Sequence, residues 1–160
     1  DDIRSMGRTA AGVRGIKLRE GDFVVGMEII EPGQEILVVT EKGYGKRTPE
    51  SEYRLQSRGG LGLKTMQITD KNGKMCAVKA VDGSEDIMLI TINGMLIRMD
   101  VKDISVIGRS TQGVRLIRLA DEEIVATVAR VKKDDDTDED ELELELESDL
   151  EGESTSETEE

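Results

Sequence analysis

The sequence predicts an all-β protein built from a repeated unit of about 50 residues. A pattern of basic residues and glycine returns every 50 to 51 positions along the chain. Short apolar runs, several rich in β-branched residues, lie between the copies, and glycine-containing turns bound them. A unit of this length holds about four short strands, as a propeller blade does, and leaves no room for helical crossovers between parallel strands. We therefore expect several similar blades stacked side by side.

The elements follow in order along the chain. The predicted strands are residues 23–25, 36–39, 77–81, 87–92 and 124–131. Turn signals lie at Pro32-Gly33, Lys42-Gly43, Lys71-Asn72-Gly73, Asp82-Gly83 and Asn93-Gly94. Asn93-Gly94 predicts a tight hairpin, because these two residues tolerate the positive φ that such a turn requires. Residues 49–52 alone have the chemistry of a helix start.

The recurring pattern, called a box from here on, has one basic residue four positions before a glycine and another two positions after it. Box 1 is residues 8–14, box 2 is residues 58–64 and box 3 is residues 109–115. The basic pairs are Arg8 and Arg14, Arg58 and Lys64, and Arg109 and Arg115. Folding a surface loop does not require this pattern. Its recurrence indicates one cationic surface that is presented several times.

Apolar residues recur beside the boxes and predict the core. After each box glycine, three apolar positions match between units, and we expect all of them to be buried. The sets are Val13, Leu63 and Val114; Ile16, Met66 and Ile117; and Leu18, Ile68 and Leu119. Strict strand alternation from these sets points the second basic residue of each box inward. A bulge, or a strand that begins only after that residue, turns it outward, and the sequence leaves both open.

Charge divides the chain into two unlike parts. Residues 134–160 hold 16 of the 35 acidic residues and no Lys or Arg, so residues 1–133 carry 22 minus 19, or +3. We expect residues 1–133 to form a partial disc with units at about 1–31, 32–82 and 83–133, and residues 134–160 to form a disordered acidic tail. Such a tail either competes with a polyanion for the basic body or serves only solubility.

Most enzyme chemistry is excluded by what the sequence lacks. Without histidine there is no Ser-His-Asp or Cys-His nucleophile system, and we expect no metal site. Cys76 is the one cysteine and is expected to be a buried thiol. A protein-binding propeller of the WD type would carry Trp and His signatures that this chain does not have. With three aromatic residues there is little to stack on unpaired bases, which makes a single-stranded ligand unfavourable.

Electrostatic recognition of a polyanion remains. Cations repeated on successive blades form a curved stripe, which suits bending duplex DNA through its phosphates without specifying sequence. Gly59, Gly60 and Gly62 are expected to let the backbone approach closely and donate N–H groups beside Arg58. A protein interaction surface is the alternative from a different class.

The chain resembles a known family in residues 6–18, 43–48 and 103–114 and in its acidic terminus. It is similar to the C-terminal domain of the A subunit of bacterial DNA gyrase, which is related to that of the topoisomerase IV A subunit. Residues 56–62 are similar to the glycine-rich wrapping box of that family, with Leu61 where the family usually has lysine. The resemblance implies a propeller-like β-pinwheel of four-stranded antiparallel blades and suggests that the chain is the C-terminal piece of a longer protein.

The resemblance also implies a function. It implies that duplex DNA wraps around the basic rim while the parent enzyme introduces negative supercoils, with the topoisomerase IV domain as the alternative. It implies no catalytic residue and no cofactor in this piece, ATP and Mg²⁺ being used in other domains. The implied partners are DNA, the gyrase B subunit, and the N-terminal region of the gyrase A subunit in an A2B2 complex, without a membrane, in the cytoplasm at the nucleoid. The expected DNA-binding residues are Arg8, Arg14, Lys17, Lys46, Arg47, Arg58, Gly59, Gly60, Gly62, Lys64, Arg98, Arg109, Arg115 and Arg118.

Overall fold

Strands make up the regular structure of the described residues, as the sequence predicts. A computed structural model describes residues 3–133, and the only other regular elements there are two short 3-10 turns, Glu50–Glu52 and Val101–Asp103. The first turn lies where the sequence has the chemistry of a helix start. The strands are β1 (Glu35–Thr40), β2 (Tyr44–Pro49), β3 (Met75–Val81), β4 (Glu85–Thr91), β5 (Leu96–Asp100), β6 (Val114–Arg115) and β7 (Val125–Lys132). The prediction of an all-β fold is confirmed.

Two antiparallel sheets contain all seven strands. The first has the order β3-β1-β2-β6 and the second has the order β5-β4-β7. β1, β2 and β3 correspond to β4, β5 and β7 at a shift of about 51 residues. The fourth strand of the first sheet, β6, comes from box 3, which is part of the following unit. Residues 83–133 thus contain four strands, as predicted, whereas residues 32–82 contain three and their sheet takes its fourth strand from the following unit.

Each sheet is organised around a hairpin with a glycine at the same place. β4 pairs with β5 in a register that joins Ile90 to Leu96, and Gly94 in the turn has a φ of 83°. β1 pairs with β2 in the equivalent register, and Gly43 in that turn has a φ of 76°. Positive φ is strained for residues with a Cβ, so both turns depend on glycine. The hairpin predicted at Asn93-Gly94 is confirmed, but the positive φ expected at both residues is wrong for Asn93, since Gly94 alone of the two has it.

The core is aliphatic and lies between the two sheets. Alternate residues of β1 and β4, such as Leu37, Val39, Ile87 and Leu89, meet in one buried cluster. The opposite side of β1 buries Ile36 and Val38 against Met66, which follows box 2. Because successive side chains of a strand point to opposite faces, β1 contacts a different layer on each side. A strand buried on both faces explains the unbroken apolar run of β1.

The segment before β1 has no strand in its described part, so the strand predicted at residues 23–25 is wrong. This segment runs beside the edge strand β3: a Cβ added to Gly26 would lie 2.9 Å from Val78 Cγ1, and Lys79 forms a 2.9 Å ion pair with Glu28. No described strand offers the segment a backbone ladder, and a strand is defined by such a partner.

The repeated apolar positions are not buried equally. Met66 and Ile117 are buried, whereas Ile16, Leu18 and Ile68 are each more than two fifths exposed. The prediction that all of these positions are core is wrong for those three. Ile117 packs into the cluster between the sheets, but no described sheet covers Ile16, whose neighbour is box 2 at Gly62. Burial of a repeated residue therefore depends on the layer that lies next to it.

Candidate nucleic-acid interface

The three boxes stack on one another in register. The backbone N–H of Lys17, just after box 1, donates to the carbonyl oxygen of Gly60 in box 2 at 2.8 Å. The N–H of Gln67, just after box 2, donates to the carbonyl oxygen of Thr111 in box 3 at 2.9 Å. Both bonds join equivalent positions of successive repeats. Because each box is bonded to the next in the same way, the boxes form a single continuous row.

The box glycines are required by backbone conformation. Gly12, Gly62 and Gly113 occupy the same place in the three boxes and have φ values of 81°, 78° and 77°. A residue with a Cβ would be strained there. A Cβ at Gly113 would also lie 2.8 Å from the carbonyl oxygen of Gly45 in β2. The glycine in the repeated pattern is thus explained by folding, and the flanking cations need a separate explanation.

The basic residues of the row point to solvent. Arg8, Arg14, Arg58, Lys64 and Arg115 are exposed, and Arg109 is partly buried. The second basic residue of each box therefore points outward, which strict alternation did not predict. In box 3 the physical reason is a break in alternation after β6: the N–H groups of Leu116 and Ile117 both donate to the Gly43 carbonyl oxygen, at 2.8 and 3.3 Å, so Arg115 and Ile117 need not share a face. The row is a cationic edge of the molecule.

Side chains that flank the row extend this edge. Lys17 follows box 1 and Arg118 follows box 3, and both are exposed. Within residues 3–133, the side chains of Arg8, Arg14, Lys17, Lys64 and Arg118 form no hydrogen bond or ion pair. Cations that have no acidic partner in the described structure are available to an external anion.

Two tyrosines hold the arginines of box 3. The guanidinium carbon of Arg109 lies 5.5 Å from the ring centre of Tyr53, and that of Arg115 lies 5.6 Å from the ring centre of Tyr44. One terminal nitrogen of Arg115 also donates to the Tyr44 hydroxyl at 3.1 Å. An aromatic face restrains the guanidinium plane and leaves other N–H groups for an anion. No local signal in the sequence indicates this pairing, since Tyr44 and Arg115 lie 71 residues apart.

Three predicted site residues are engaged within the fold. Lys46 is fully buried, and Arg47 donates to Glu35 at 2.6 Å and to the carbonyl oxygen of Ile104 at 2.8 Å. Arg98 is exposed but forms a 2.7 Å ion pair with Asp86. The expectation that Lys46 and Arg47 lie on the binding surface is wrong, because residues 104–111 cover them. Arg47 and Arg98 recur because each pairs with a carboxylate across its hairpin.

Burial changes the chemistry of Lys46. Loss of hydration lowers the pKa of its ammonium group below the ordinary value for lysine. The carboxylate of Glu52 opposes this shift of the pKa, and the nearby charge of Arg109 adds to it. A cation in this setting serves the fold around box 3.

The glycines of box 2 are used mainly for close contact between boxes. The N–H of Gly59 donates to the carbonyl oxygen of Gly15, and the Gly60 carbonyl accepts from Lys17. The Gly59 N–H is therefore occupied, and the expectation that it donates to a bound phosphate is wrong. A Cβ added to Gly62 would lie 3.4 Å from Ile16 Cδ1. These contacts bring neighbouring boxes close enough to place their cations side by side.

Asn72 joins box 3 to the segment after box 2 and was not predicted to do so. It is fully buried, and its amide nitrogen donates to the carbonyl oxygens of Gln67 at 2.9 Å and Gln112 at 3.1 Å. Its side-chain oxygen accepts from the backbone N–H of Thr69 at 2.7 Å. The sequence indicated only a turn here, because the acceptor Gln112 lies 40 residues away.

A groove beside box 3 contains two further lysines. Lys42 and Lys71 line a groove of about 480 Å³ together with Tyr44, Arg115 and Arg118. The Lys71 nitrogen lies 5.8 Å from the centre of the Tyr44 ring. Three acidic residues, Asp121, Glu122 and Glu123, line the same groove, so its charge is mixed and only its basic side continues the row. Neither lysine recurs with the repeat period, which is why the sequence did not single them out.

The described residues contain neither a cluster of metal ligands nor a membrane-spanning helix. No group of three or more His, Cys, Asp or Glu side chains in residues 3–133 is arranged to hold a metal ion. In the same range, no helix combines the length and apolar character needed to cross a lipid bilayer. The row of cations is instead suited to an extended anion that is bound through charge.

Proteins similar to this chain share its fold and much of its sequence. The A subunit of DNA gyrase from Staphylococcus epidermidis is 57% identical over 136 residues, which cover 84% of this chain and 15% of that protein. The A subunit of DNA gyrase from Staphylococcus aureus is 56% identical over 136 residues, with the same coverage. The chain therefore spans 15% of the length of these relatives.

Solved structures of two C-terminal domains have a similar fold. The structure described as "Structure of DNA gyrase A C-terminal domain" has a TM-score of 0.75 at 28% identity, covering 81% of this chain and 44% of that chain. A C-terminal domain of DNA topoisomerase IV also has a TM-score of 0.75 at 24% identity, covering 91% and 46%, which shows the fold alone. A family model described as "DNA gyrase C-terminal domain, beta-propeller" matches residues 1–31, 34–82 and 85–132. The resemblance seen in the sequence is confirmed, and the chain belongs to the DNA gyrase C-terminal β-propeller family.

Proposed function

We propose that this chain binds duplex DNA along the row of boxes and bends it around the edge of the molecule. The observation that carries the proposal is the repeated hydrogen bond that stacks box 1 on box 2 and box 2 on box 3. It brings cations of all three repeats to one edge. Phosphates recur regularly along a duplex, so a row of equivalent cations suits this ligand better than a compact anion.

Contacts of this kind explain affinity without sequence preference. Arginine and lysine neutralise phosphates and release counterions, and neither event depends on the base sequence. Bending a site of 20–30 base pairs by 40–90° costs on the order of 1–6 kcal/mol, which additional phosphate contacts along the row can offset. The proposed DNA-binding residues are those exposed in and beside the boxes: Arg8, Arg14, Lys17, Arg58, Lys64, Arg109, Arg115 and Arg118.

The family gives this DNA-binding module a place in a larger enzyme. We propose that the chain is part of the A subunit of a DNA gyrase, whose supercoiling reaction uses ATP and Mg²⁺ outside these residues. Its protein partners would be the gyrase B subunit together with the rest of the A subunit, at the nucleoid in the cytoplasm. Identities of 56–57% to gyrase sequences favour this parent over topoisomerase IV, for which the likeness shows only the fold.

A gel-shift titration on linear duplexes of several sequences tests the proposal. The variant carries Arg8→Ala, Arg58→Ala and Arg109→Ala together. We expect weaker binding to every duplex, and we expect the slope of log affinity against log salt to become shallower by about 0.9 for each phosphate that is no longer neutralised.

A variant matched in charge provides the control. Lys74→Ala, Lys102→Ala and Lys132→Ala remove three exposed cations that lie outside the boxes. This control is expected to keep most of the affinity. If the box variant binds DNA like the unchanged chain, a protein ligand becomes the better interpretation of the row. If both triple variants lose affinity equally, net charge rather than the row governs binding.

A further inference from the structure

Lys46 is a buried lysine whose donors all serve box 3. It lies in the middle of β2 and is fully buried. Its ammonium group donates to the carbonyl oxygen of Gly108 at 2.7 Å, to that of Arg109 at 2.8 Å and to the hydroxyl of Thr111 at 3.2 Å. An ammonium group has three donors. All three are therefore committed to the turn at residues 108–111 that opens box 3.

The repeat shows that folding of the sheet does not require a lysine at this position. Lys46 lies opposite Val38 in the β1–β2 pair, and the equivalent pair in the second sheet is Leu89 opposite Ile97. An aliphatic residue is thus accepted at the same register. In the described residues, no box strand pairs with β5, which carries Ile97, whereas β6 of box 3 pairs with β2. Lysine occurs in the strand that has a box beside it.

Burying this charge is costly unless it has a specific use. Within residues 3–133, Lys46 forms no ion pair; carbonyl and hydroxyl oxygens replace its lost hydration, and the nearby Glu52 carboxylate favours its charge. An isolated buried ammonium group is strongly destabilising without such partners. In return, three acceptors of one turn are fixed to a rigid strand. The arrangement therefore orders the turn, and in doing so it removes the Lys46 ammonium group from water.

Thr48 and Glu52 also form hydrogen bonds to the backbone at this turn. The Thr48 hydroxyl donates to the carbonyl oxygen of Ile107 at 2.8 Å, and a Glu52 carboxylate oxygen accepts from the backbone N–H of Arg109 at 3.1 Å. The N–H and the carbonyl of Arg109 are thus both fixed. Its guanidinium group lies over Tyr53 and donates weakly to the Lys64 carbonyl at 3.4 Å. Arg109 is placed before any ligand arrives.

We propose that Lys46 is a positioning residue for DNA binding: its ammonium group fixes the turn at residues 108–111, so that Arg109 is already ordered when it meets a phosphate. Lys46 itself does not touch DNA. This inference rests on the proposed function, because it concerns how one box of the DNA-binding row is held. Ordering a cation in advance increases affinity, because less conformational entropy is lost when the ligand binds.

Lys46→Met tests the proposal, because methionine has a similar length and no charge. Amide hydrogen exchange without DNA is expected to accelerate at least tenfold at residues 108–111 while β1 and β4 keep their protection. In gel shifts, affinity is expected to fall several-fold with an unchanged salt slope, since the number of neutralised phosphates stays the same. Lys64→Met is the matched control: it removes an exposed box cation, and its salt slope should fall by about one while exchange in the turn stays the same.

Each outcome decides for or against the proposal. A folded Lys46→Met protein with unchanged exchange and affinity overturns it, and so does a salt slope that falls as in Lys64→Met, which would mean direct contact. If Lys46→Met does not fold, Thr111→Val is judged by the same two readouts; it removes the hydroxyl that accepts from Lys46 and that also donates to the Gly108 carbonyl oxygen at 2.9 Å. If the unchanged chain does not bind duplex DNA, the proposed function fails, while hydrogen exchange still reports whether Lys46 orders the turn.

Discussion

Basic residues in this chain have two different uses, and burial separates them. Arg8, Arg14 and Lys64 are exposed and form no ion pair in the described structure, whereas Lys46 and Arg47 are covered by the segment leading into box 3. Residue type alone does not distinguish these uses. The distinction depends on whether another part of the chain supplies oxygen acceptors, which is a property of the folded molecule.

Cys76 is a second residue whose chemistry depends on burial. Loss of hydration, with a further contribution from the nearby Glu41 carboxylate, raises the pKa of its thiol to about 11 from an ordinary 9.0. The thiol donates to the Val39 carbonyl oxygen at 3.5 Å. The folded state therefore favours the protonated thiol, and this contribution to stability is fully present below about pH 9 and is lost as the pH rises towards 11.

The expected consequence is a slow reaction of Cys76 with disulfide reagents. At pH 8 the thiolate fraction should be about one hundredth of that of an ordinary cysteine, because the pKa is raised by about two units. The reaction with a chromogenic disulfide should thus be about one hundred times slower in the native chain than in urea. Equal rates in the two conditions would show that the thiol is not protected.

At the scale of elements, each of the two hairpins has a cross-strand ion pair, and the two pairs lie at equivalent positions. Arg47 and Glu35 join β2 to β1, and Arg98 and Asp86 join β5 to β4 at the equivalent register. The environments differ, since the Arg47 side chain is 12% exposed and that of Arg98 is 44% exposed. Arg47 also donates to the Ile104 carbonyl oxygen. The equivalent pairs are therefore expected to contribute different amounts to the stability of the fold.

We expect Arg47→Ala to destabilise the chain by about 3 kcal/mol, because it leaves a mostly buried carboxylate and a carbonyl oxygen without a partner. The matched change Arg98→Ala should cost less than about 1 kcal/mol, because Arg98 is the more exposed arginine and Lys133, 4.0 Å from the Asp86 carboxylate, stays in place as a partner. Urea denaturation of both variants measures the difference. Neither change should alter the salt slope of DNA binding, and equal losses of stability would contradict this view of the hairpins.

At the scale of the whole molecule, the repeats are interleaved. β6 belongs to box 3 but completes the sheet of the preceding unit, and each box is hydrogen-bonded to the next. A change in one unit is therefore transmitted to its neighbour. This interleaving also lines up the boxes, because the contacts that complete one sheet are those that place the next box.

The acidic segment, residues 134–160, lies outside the described residues, and its predicted disorder and its role stay predictions. Its 16 carboxylates follow directly on a body of net charge +3. We expect a chain ending at Lys133 to bind duplex DNA more tightly than the full chain at low salt, and the difference should disappear as salt screens the charges. Gel shifts at several salt concentrations measure this effect. Equal affinities at low salt would exclude competition by the tail.

The fold class, the repeat, the hairpin at Asn93-Gly94 and the recurrent cationic pattern could all be predicted from the sequence. These features are local: turns need glycine, apolar runs need a sheet, and a period of about 51 residues needs a repeated unit. The sequence also marked the glycines whose positive φ the boxes require. Each of these signals lies within a few residues of the feature that it predicts.

Which cations face solvent and which are buried depends instead on contacts between distant parts of the chain. Lys46 meets its acceptors 62 to 65 residues further along the chain, and Asn72 reaches Gln112 across 40 residues. The pairing of β6 with β2, which lies in the preceding unit, also joins residues about 70 positions apart and has no local signal. Partners so far apart in sequence come together only when the sheets pack, so no local pattern could have separated the charged groups that build the row from those that support it.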